Sequence, residues 1–356
     1  MALNTQRVVQ QLLNWYSAHY RSLPWRNEPT PYHVWVSEIM LQQTRIEAVL
    51  PYYRRFIDTL PTMDSLASAP SDMLLKLWEG LGYYSRIRNM QKAARVVMAE
   101  YGGELPADYG ALLALPGIGP YTAGAIASIA YDIPVPAVDG NVMRVLARLT
   151  ADDTDVLSAE GKKRFTALAW ELVPEQEAGR FNQALMELGE TVCVPNGEPH
   201  CDACPIRGEC EAHCLGCASQ FPVRIKKTKR RIEERQVALV CAEGSLKRVI
   251  LHKRADEGLL AGLWELPNTL SDDPLDSVPS DLRDRCVEMG ELPPCKHLFS
   301  HIEWRMKGKI YRLSPCAGIP DGYAAVSLKE LQTAYPLPGA FRVYANMLPQ
   351  LLSEEC

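Results

Sequence analysis

The stretch "LPGIGPYTAGAIASIA", residues 115–130, decides how the first 220 residues of this chain are built. Gly117 and Gly119 stand two apart between prolines, and a run rich in small residues follows. Both glycines can take φ > 0, so the chain can turn tightly between two helices. The N–H groups opening the second helix lack intrahelical partners and bind an anion well. That is a helix-hairpin-helix arrangement, which holds a nucleic-acid phosphate without reading bases. A plain interhelical turn is the competing interpretation.

Outward from this hairpin the pattern stays helical. Helices are expected over 3–20, 31–43, 46–58, 71–79, 85–101, 108–114, 120–131, 140–150, 159–173 and 178–190. Proline and glycine punctuate them, and Pro51 suits a first helical turn. After residue 236 the texture changes: "QVALVCA", "KRVILHKR", "HLFSHIEWRMKGKIYRL" and "AAVSL" read as strands, with one or two helices between. A chain of 356 residues is too long for one ordinary core, so more than one domain is expected.

The net charge of −5 hides an asymmetry. Residues 1–223 carry 18 basic and 25 acidic side chains, whereas 224–235, "RIKKTKRRIEER", carry 7 basic and 2 acidic. A polyanion would therefore be held by local basic strips and backbone amides, not by the overall field. The basic stretch also reads as a solvated linker. No run of 18 apolar residues occurs, so no membrane span is expected, and the N-terminus lacks the apolar core and cleavage site of a signal peptide. A cytoplasmic location is the resulting expectation.

Six of the eleven cysteines fall between 193 and 217. Cys193, Cys201, Cys204 and Cys210 have the spacing C-x7-C-x2-C-x5-C. Four thiolates in one tight loop suit a [4Fe–4S] cluster or tetrahedral zinc, and clustering in a cytosolic chain argues for metal over disulfides. Cys214, Cys217, His200 and His213 lie close, which leaves the fourth ligand open among Cys210, Cys214 and Cys217.

Two carboxylates attract attention. Glu38 stands in "YHVWVSEIMLQQTR" (32–45), a helix apolar on most sides. Asp139 precedes a helix beginning near Gly140, where capping is the simplest role. Together they admit a division of labour: a carboxyl raised in pKa by an apolar pocket donates a proton, while a charged Asp stabilises a cation. That division breaks glycosidic bonds.

At this point the chain resembles the MutY-type adenine DNA glycosylases of the endonuclease III-like helix-hairpin-helix superfamily. The likeness is carried by "LPWR" (23–26), "VWVSEIMLQQTR" (34–45), "WEGLGYYSRIRN" (78–89), "LPGIGPYTAGAIAS" (115–128), "PAVDGNVMRVL" (136–146), "FNQALMELGETVC" (181–193), the cysteine loop, "GLLAGLWELP" (258–267) and "FSH" (299–301). The resemblance implies a multidomain chain. An all-α helix-hairpin-helix glycosylase core would occupy 1–220, with an iron–sulfur loop at 190–217. A basic linker would follow at 221–235, and a Nudix-like α/β domain at 236–356.

The resemblance further implies a monomeric repair enzyme on double-stranded DNA, associated with the bacterial nucleoid, that removes adenine mispaired with 8-oxoguanine or guanine. The adenine would be flipped out of the stack. Glu38 would protonate its N7, Asp139 would stabilise the oxocarbenium-like sugar, and Tyr121 and Asn141 would position them. Trp25, Arg26 and Gln183 would line the adenine pocket. Gln43, Leu81 and Tyr83 would wedge into the duplex, with Thr44 near the opposite base; core packing is the alternative for Leu81 and Tyr83. Phe299, Ser300 and His301 would read the lesion. One [4Fe–4S] cluster would sit on Cys193, Cys201, Cys204 and Cys210, although seven residues separate the first two where the family usually has six.

Bifunctional relatives place a Schiff-base lysine where this chain has Tyr121, so a monofunctional enzyme is expected. The region "GLWELPNTLSDDPLDSVPSDLRDRCVEMG" lacks the Arg-Glu…Glu-Glu pattern of a Nudix hydrolase, which suits a reader and not a second enzyme. Two rival expectations are a glycosylase/lyase for oxidised pyrimidines and a non-catalytic, zinc-containing DNA-binding protein.

Overall fold

The structure, a computed structural model, describes residues 3–225, 230–242, 247–314 and 318–353. The chain forms two compact units: Met1–Ser68 with Asn89–Lys226, and Ala69–Arg88 with Lys227–Cys356.

The first unit is helical, with α1 (Thr5–His19), α2 (Pro24–Asn27), α3 (Pro31–Leu41), α4 (Ile46–Thr59) and α5 (Met63–Ser68). After α6 (Ser71–Leu77), which belongs to the second unit, come α7 (Ser85–Glu100), α8 (Tyr109–Ala114), α9 (Pro120–Tyr131), α10 (Gly140–Leu149), α11 (Ala159–Leu172), α12 (Ala178–Thr191) and the short α13 (Glu211–Cys214). Local chemistry sets many of the starts. Asn4, Thr30, Asp108 and Ser158 each accept a backbone N–H at the head of α1, α3, α8 and α11, and Pro31 and Pro120 open α3 and α9. The four-residue α2 and six-residue α5 are too short to show a helical period, and the sequence reading missed both.

Helix α12 packs on α1, α9 and α10, and α3 packs on α9. One core joins Val8 and Leu12 of α1 to Leu146 of α10, Phe165 of α11, and Phe181 and Leu188 of α12. Gly189 is needed in this packing, because a Cβ there would stand 2.8 Å from Asn141 Cβ.

The second unit holds a mixed sheet: β1 (Arg231–Ala242), β2 (Arg248–Lys253), β3 (Trp264–Glu265), β4 (Asn268–Thr269), β5 (Cys286–Leu298), β6 (Ile302–Leu313) and β7 (Tyr323–Val326). The order is β3-β2-β1-β6-β5, with β4 paired to β1 and β7 to β2. Strands β1 and β6 run parallel, from Arg231↔Ile302 to Ala242↔Leu313. Both faces of β1 are covered. Val237 and Leu239 join a core with Trp304, Phe341 and Tyr344, while Ala238 and Val240 join Leu282 and Leu313. That double burial explains the unbroken apolar run "VALV".

Three features differ from the expectation. Strand β1 begins at Arg231, inside the stretch read as a linker, because pairing with β6 satisfies its backbone whatever its side-chain charge; residues 226–229 of that stretch lie outside the described residues. Strand β5 was largely missed: Pro293 and Pro294 fall where its register with β6 shifts between Leu292 and Cys295, so the strand tolerates them. Segment Ala69–Arg88, which the reading assigned to the helical core, groups with the sheet. Lys76 Nζ donates to Leu331 O at 2.7 Å, Glu79 accepts from Leu337 N–H at 2.7 Å, and Arg88 donates to Ala261 O.

Candidate active site

Helices α2, α3, α9, α10 and α12 enclose a cavity of about 360 Å³, inside the range of ligand pockets, roughly 300–1,000 Å³. Its lining includes Trp25, Arg26, Glu38, Gln43, Thr44, Tyr121, Asp139, Asn141 and Gln183. Residues far apart in the chain, singled out separately from its sequence, therefore meet on one surface.

Glu38 lies on α3 and is only 6% exposed. Burial raises its pKa from the ordinary 4.5 to about 7. The Tyr121 hydroxyl donates to Glu38 Oε2 and works against that rise, as does the charge of Arg26, while the Asp139 charge adds to it. Burial also pushes the Tyr121 phenol well up, so it remains a donor. Near neutrality Glu38 can therefore hold or release a proton.

Asp139 caps a helix and also lines the cavity. Its Oδ1 caps α10, accepting from Val142 N–H at 2.7 Å. Its Oδ2 accepts from Asn141 Nδ2 at 2.9 Å. Burial raises its pKa, and the hydrogen bonds from Val142 and Asn141 oppose the rise. They favour the anion, as does the positive end of the helix it caps.

The arginines behind this pair escaped the sequence reading. Arg144 is 2% exposed and donates to Asn141 Oδ1 at 2.8 Å, Gly189 O at 2.6 Å and Cys193 O at 2.8 Å. It ties the Asp139–Asn141 pair to the start of the cysteine loop. Arg148, one turn on, donates to Cys193 Sγ at 3.2 Å and Val194 O at 3.0 Å. Two arginines four apart inside the apolar run "VMRVLARL" were the available signal, since buried charges of this kind are kept only where they are paired. Glu187, 1% exposed, was missed for the same reason.

Cys193, Cys201, Cys204 and Cys210 line one small cavity with Arg148, and no carboxylate shares it. Cys214 is exposed and lines a different hollow. Burial pushes the Cys204 thiol up to about 12 and Cys210 up to about 11, and charge on the neighbouring thiols raises both further. Bare thiols here stay protonated, and a metal centre that displaces those protons would relieve the penalty. Among the described residues no group of three or more His, Cys, Asp or Glu side chains closes around a single metal ion. Four cysteines spread around one cavity wall, with His200 and His213 beside them, fit the multi-atom iron–sulfur cluster.

The hairpin is as expected at one glycine and not at the other. Gly117 has φ +76° and a Cβ there would meet Asn89 Cβ at 2.5 Å, so only glycine fits. Gly119 has φ −93°, and its freedom is not used. It precedes α9, whose start has no capping side chain and leaves its N–H groups open.

Of the wedge candidates, Gln43 and Tyr83 carry left-handed backbone, with φ +61° and +47°. Such non-glycine strain, about 1–3 kcal/mol each, tends to collect at functional sites. Leu81 is 7% exposed. Tyr83 is 47% exposed, and its hydroxyl lies 3.0 Å from Ser300 Oγ. Ser300 and His301 are exposed in the β5–β6 turn, where Phe299 stacks edge-on against Trp304 at 4.9 Å. Glu265 of the "GLWELP" stretch is engaged by Arg254 at 2.7 Å and His252 at 3.3 Å. No helix among the described residues is long and apolar enough to cross a membrane.

Comparison with known proteins agrees with this architecture. Residues 36–175 match the HhH-GPD superfamily base excision DNA repair proteins, and 237–347 match the NUDIX domain. The adenine DNA glycosylase of Mus musculus is 36% identical over 94% of this chain and 77% of its own length. That of Buchnera aphidicola subsp. Baizongia pistaciae is 33% identical over 84% of each. The Arabidopsis thaliana relative is 36% identical, and the chain spans 59% of its length. Among solved structures, a thermostable thymine-DNA glycosylase superposes with TM-score 0.53 and 27% identity, over 59% of this chain and 97% of that one. An endonuclease III bound to DNA shares the fold, with TM-score 0.50 and 23% identity, over 60% and 98%. With an endonuclease III-like helical core, a Nudix-like second domain and likeness to these relatives over most of its own length, the chain belongs to the adenine DNA glycosylases, hydrolases of the N-glycosyl bond in base excision repair.

Proposed function

We propose that this enzyme excises adenine paired with 8-oxoguanine or guanine in double-stranded DNA, without cutting the strand. The observation that carries this reading is the convergence of Glu38, bonded by Tyr121, and Asp139, bonded by Asn141, on one cavity. An extruded adenine enters that cavity. Protonated Glu38 gives its proton to adenine N7. The C1′–N9 bond then breaks, its electron pair leaving with the neutral base. The positive sugar faces the Asp139 anion until water adds at C1′ and gives a proton back to the Glu38 carboxylate, leaving an abasic site.

Tyr121 at the head of α9 supports the monofunctional part, since a phenol forms no imine with the sugar. In the second unit, Phe299, Ser300 and His301 present a ring, a hydroxyl and an imidazole that suit the altered edge of 8-oxoguanine. The engagement of Glu265 by Arg254 and His252 supports a reader over a diphosphate hydrolase. Cys193, Cys201, Cys204 and Cys210 would hold a [4Fe–4S] cluster. Its contribution is structural, fixing the loop that Arg144 and Arg148 grip. Absorbance near 400 nm, lost on acid treatment, distinguishes the cluster from zinc.

The test is excision on duplexes with adenine opposite 8-oxoguanine, guanine, cytosine and thymine, with and without alkali. Cleavage that needs alkali and favours the first two duplexes is expected. Equal excision on all four, or efficient borohydride trapping on DNA, overturns the reading.

A further inference from the structure

Behind the cavity wall lies a buried layer of charge that the excision chemistry does not use. Glu187 of α12 is 1% exposed, yet carries a carboxylate. Its Oε2 accepts from Arg26 Nη2 at 2.7 Å and Arg21 Nη2 at 3.1 Å, and its Oε1 accepts from Arg21 Nε. Arg26 also donates through Nη1 to Arg21 O at 3.1 Å, and its guanidinium stands 5.7 Å from the Tyr16 ring centre. The Tyr16 hydroxyl donates to Gln183 Oε1 at 3.1 Å. Gln183 Nε2 lies 3.3 Å from Gly179 O. Both side chains that this layer touches, Arg26 and Gln183, line the cavity.

We propose that Glu187 and Tyr16 are positioning residues that set the base specificity of the pocket, Glu187 by fixing the guanidinium of Arg26 and Tyr16 by fixing the amide of Gln183. The inference rests on the adenine-pocket reading above. A guanidinium on a flexible stem would sample many orientations, whereas one held by a buried carboxylate and a backbone carbonyl keeps its remaining N–H groups aimed one way. The amide is held at both ends, its oxygen by the Tyr16 hydroxyl and its nitrogen by Gly179 O, and without the Tyr16 bond its orientation is less firmly kept. Turning it over would set Gln183 Oε1 against Gly179 O, two acceptors face to face. In the fixed orientation Gln183 retains one amide hydrogen beside one oxygen lone pair. That pattern matches the adenine edge, where the exocyclic N–H donor lies next to a ring-nitrogen acceptor. Hypoxanthine offers a carbonyl acceptor in place of that donor and meets the Gln183 oxygen with an oxygen.

The experiment is a pair of double-mutant cycles on the full-length enzyme, read by single-turnover excision from duplexes carrying adenine or hypoxanthine opposite 8-oxoguanine. Glu187→Gln should slow adenine excision on the order of tenfold to a hundredfold, the scale of a small misplacement of a binding group. Combined with Arg26→Gln, it should lose no more than Arg26→Gln alone, since it acts through that residue. Tyr16→Phe keeps the ring beside Arg26 and should lower the ratio of adenine to hypoxanthine excision, an effect absent once Gln183→Ala is in place. This second cycle decides the matter if Glu187→Gln does not fold. Multiplying losses in the cycles, or an unchanged adenine-to-hypoxanthine ratio in Tyr16→Phe, overturns the inference. Full activity in Arg26→Gln and Gln183→Ala would instead defeat the pocket assignment on which it rests.

Discussion

Replacing Glu38 with Gln should slow excision by orders of magnitude and make the protein more stable at pH 8. Glu38 is 6% exposed, and burial lifts its pKa from 4.5 to about 7. That shift corresponds to about 3 kcal/mol of disfavoured charge, at ~1.4 kcal/mol per pKa unit. Between the two values the folded protein keeps a proton that the unfolded chain has released. Stability is therefore fully present below pH 4.5, falls as pH rises, and the loss is complete above 7. Gln cannot ionise, keeps the shape, and still accepts from the Tyr121 hydroxyl. Urea unfolding of both proteins at pH 4.5, 6 and 8 should show the gain growing from near zero to about 3 kcal/mol. Excision by the variant should fall by roughly 10²–10⁴, the usual share of a general acid. The wild-type rate should decline about tenfold per pH unit once pH exceeds the pKa near 7. Parallel unfolding profiles at all three pH values would refute the raised pKa, and near-normal excision by the variant would refute the proton donor.

Gly117→Ala forces a Cβ to within 2.5 Å of Asn89 Cβ at φ +76°, so duplex binding should weaken by about tenfold or more, measured by titration with abasic-site DNA. Gly119→Ala, at φ −93° with open space around it, should bind almost as the wild type does. Arg144→Leu strands the Gly189 and Cys193 carbonyls and releases Asn141. It should cost roughly 2–4 kcal/mol in denaturant unfolding and slow excision more than tenfold. Ser300→Ala removes the hydroxyl beside Tyr83 and should change stability by less than about 0.5 kcal/mol. It should also narrow the preference for 8-oxoguanine over guanine in paired excision assays.

Local order was largely legible because its causes are local. The spacing of apolar residues and the proline and glycine breaks placed the long helices within a residue or two. Strand β5 was hidden because "CVEMGELPPCKHL" neither alternates nor avoids proline, and its pairing is set by β6. The grouping of Ala69–Arg88 with the sheet depends on Lys76, Glu79 and Arg88 finding backbone partners more than 170 positions away, which no window along the chain can show.

Residue types along the chain disclosed which side chains could do the chemistry: a glutamate in an apolar helix, an aspartate before another, four cysteines in one loop and glycines at a hairpin. It took the packed fold to bring Glu38 and Asp139 to one cavity, to let Asp139 cap a helix and still line that cavity, and to set Glu187 and Arg144 behind its walls. A residue type carries its reactivity with it. Its proton affinity and its aim are set by the solvent it loses and the partners it gains when distant segments pack.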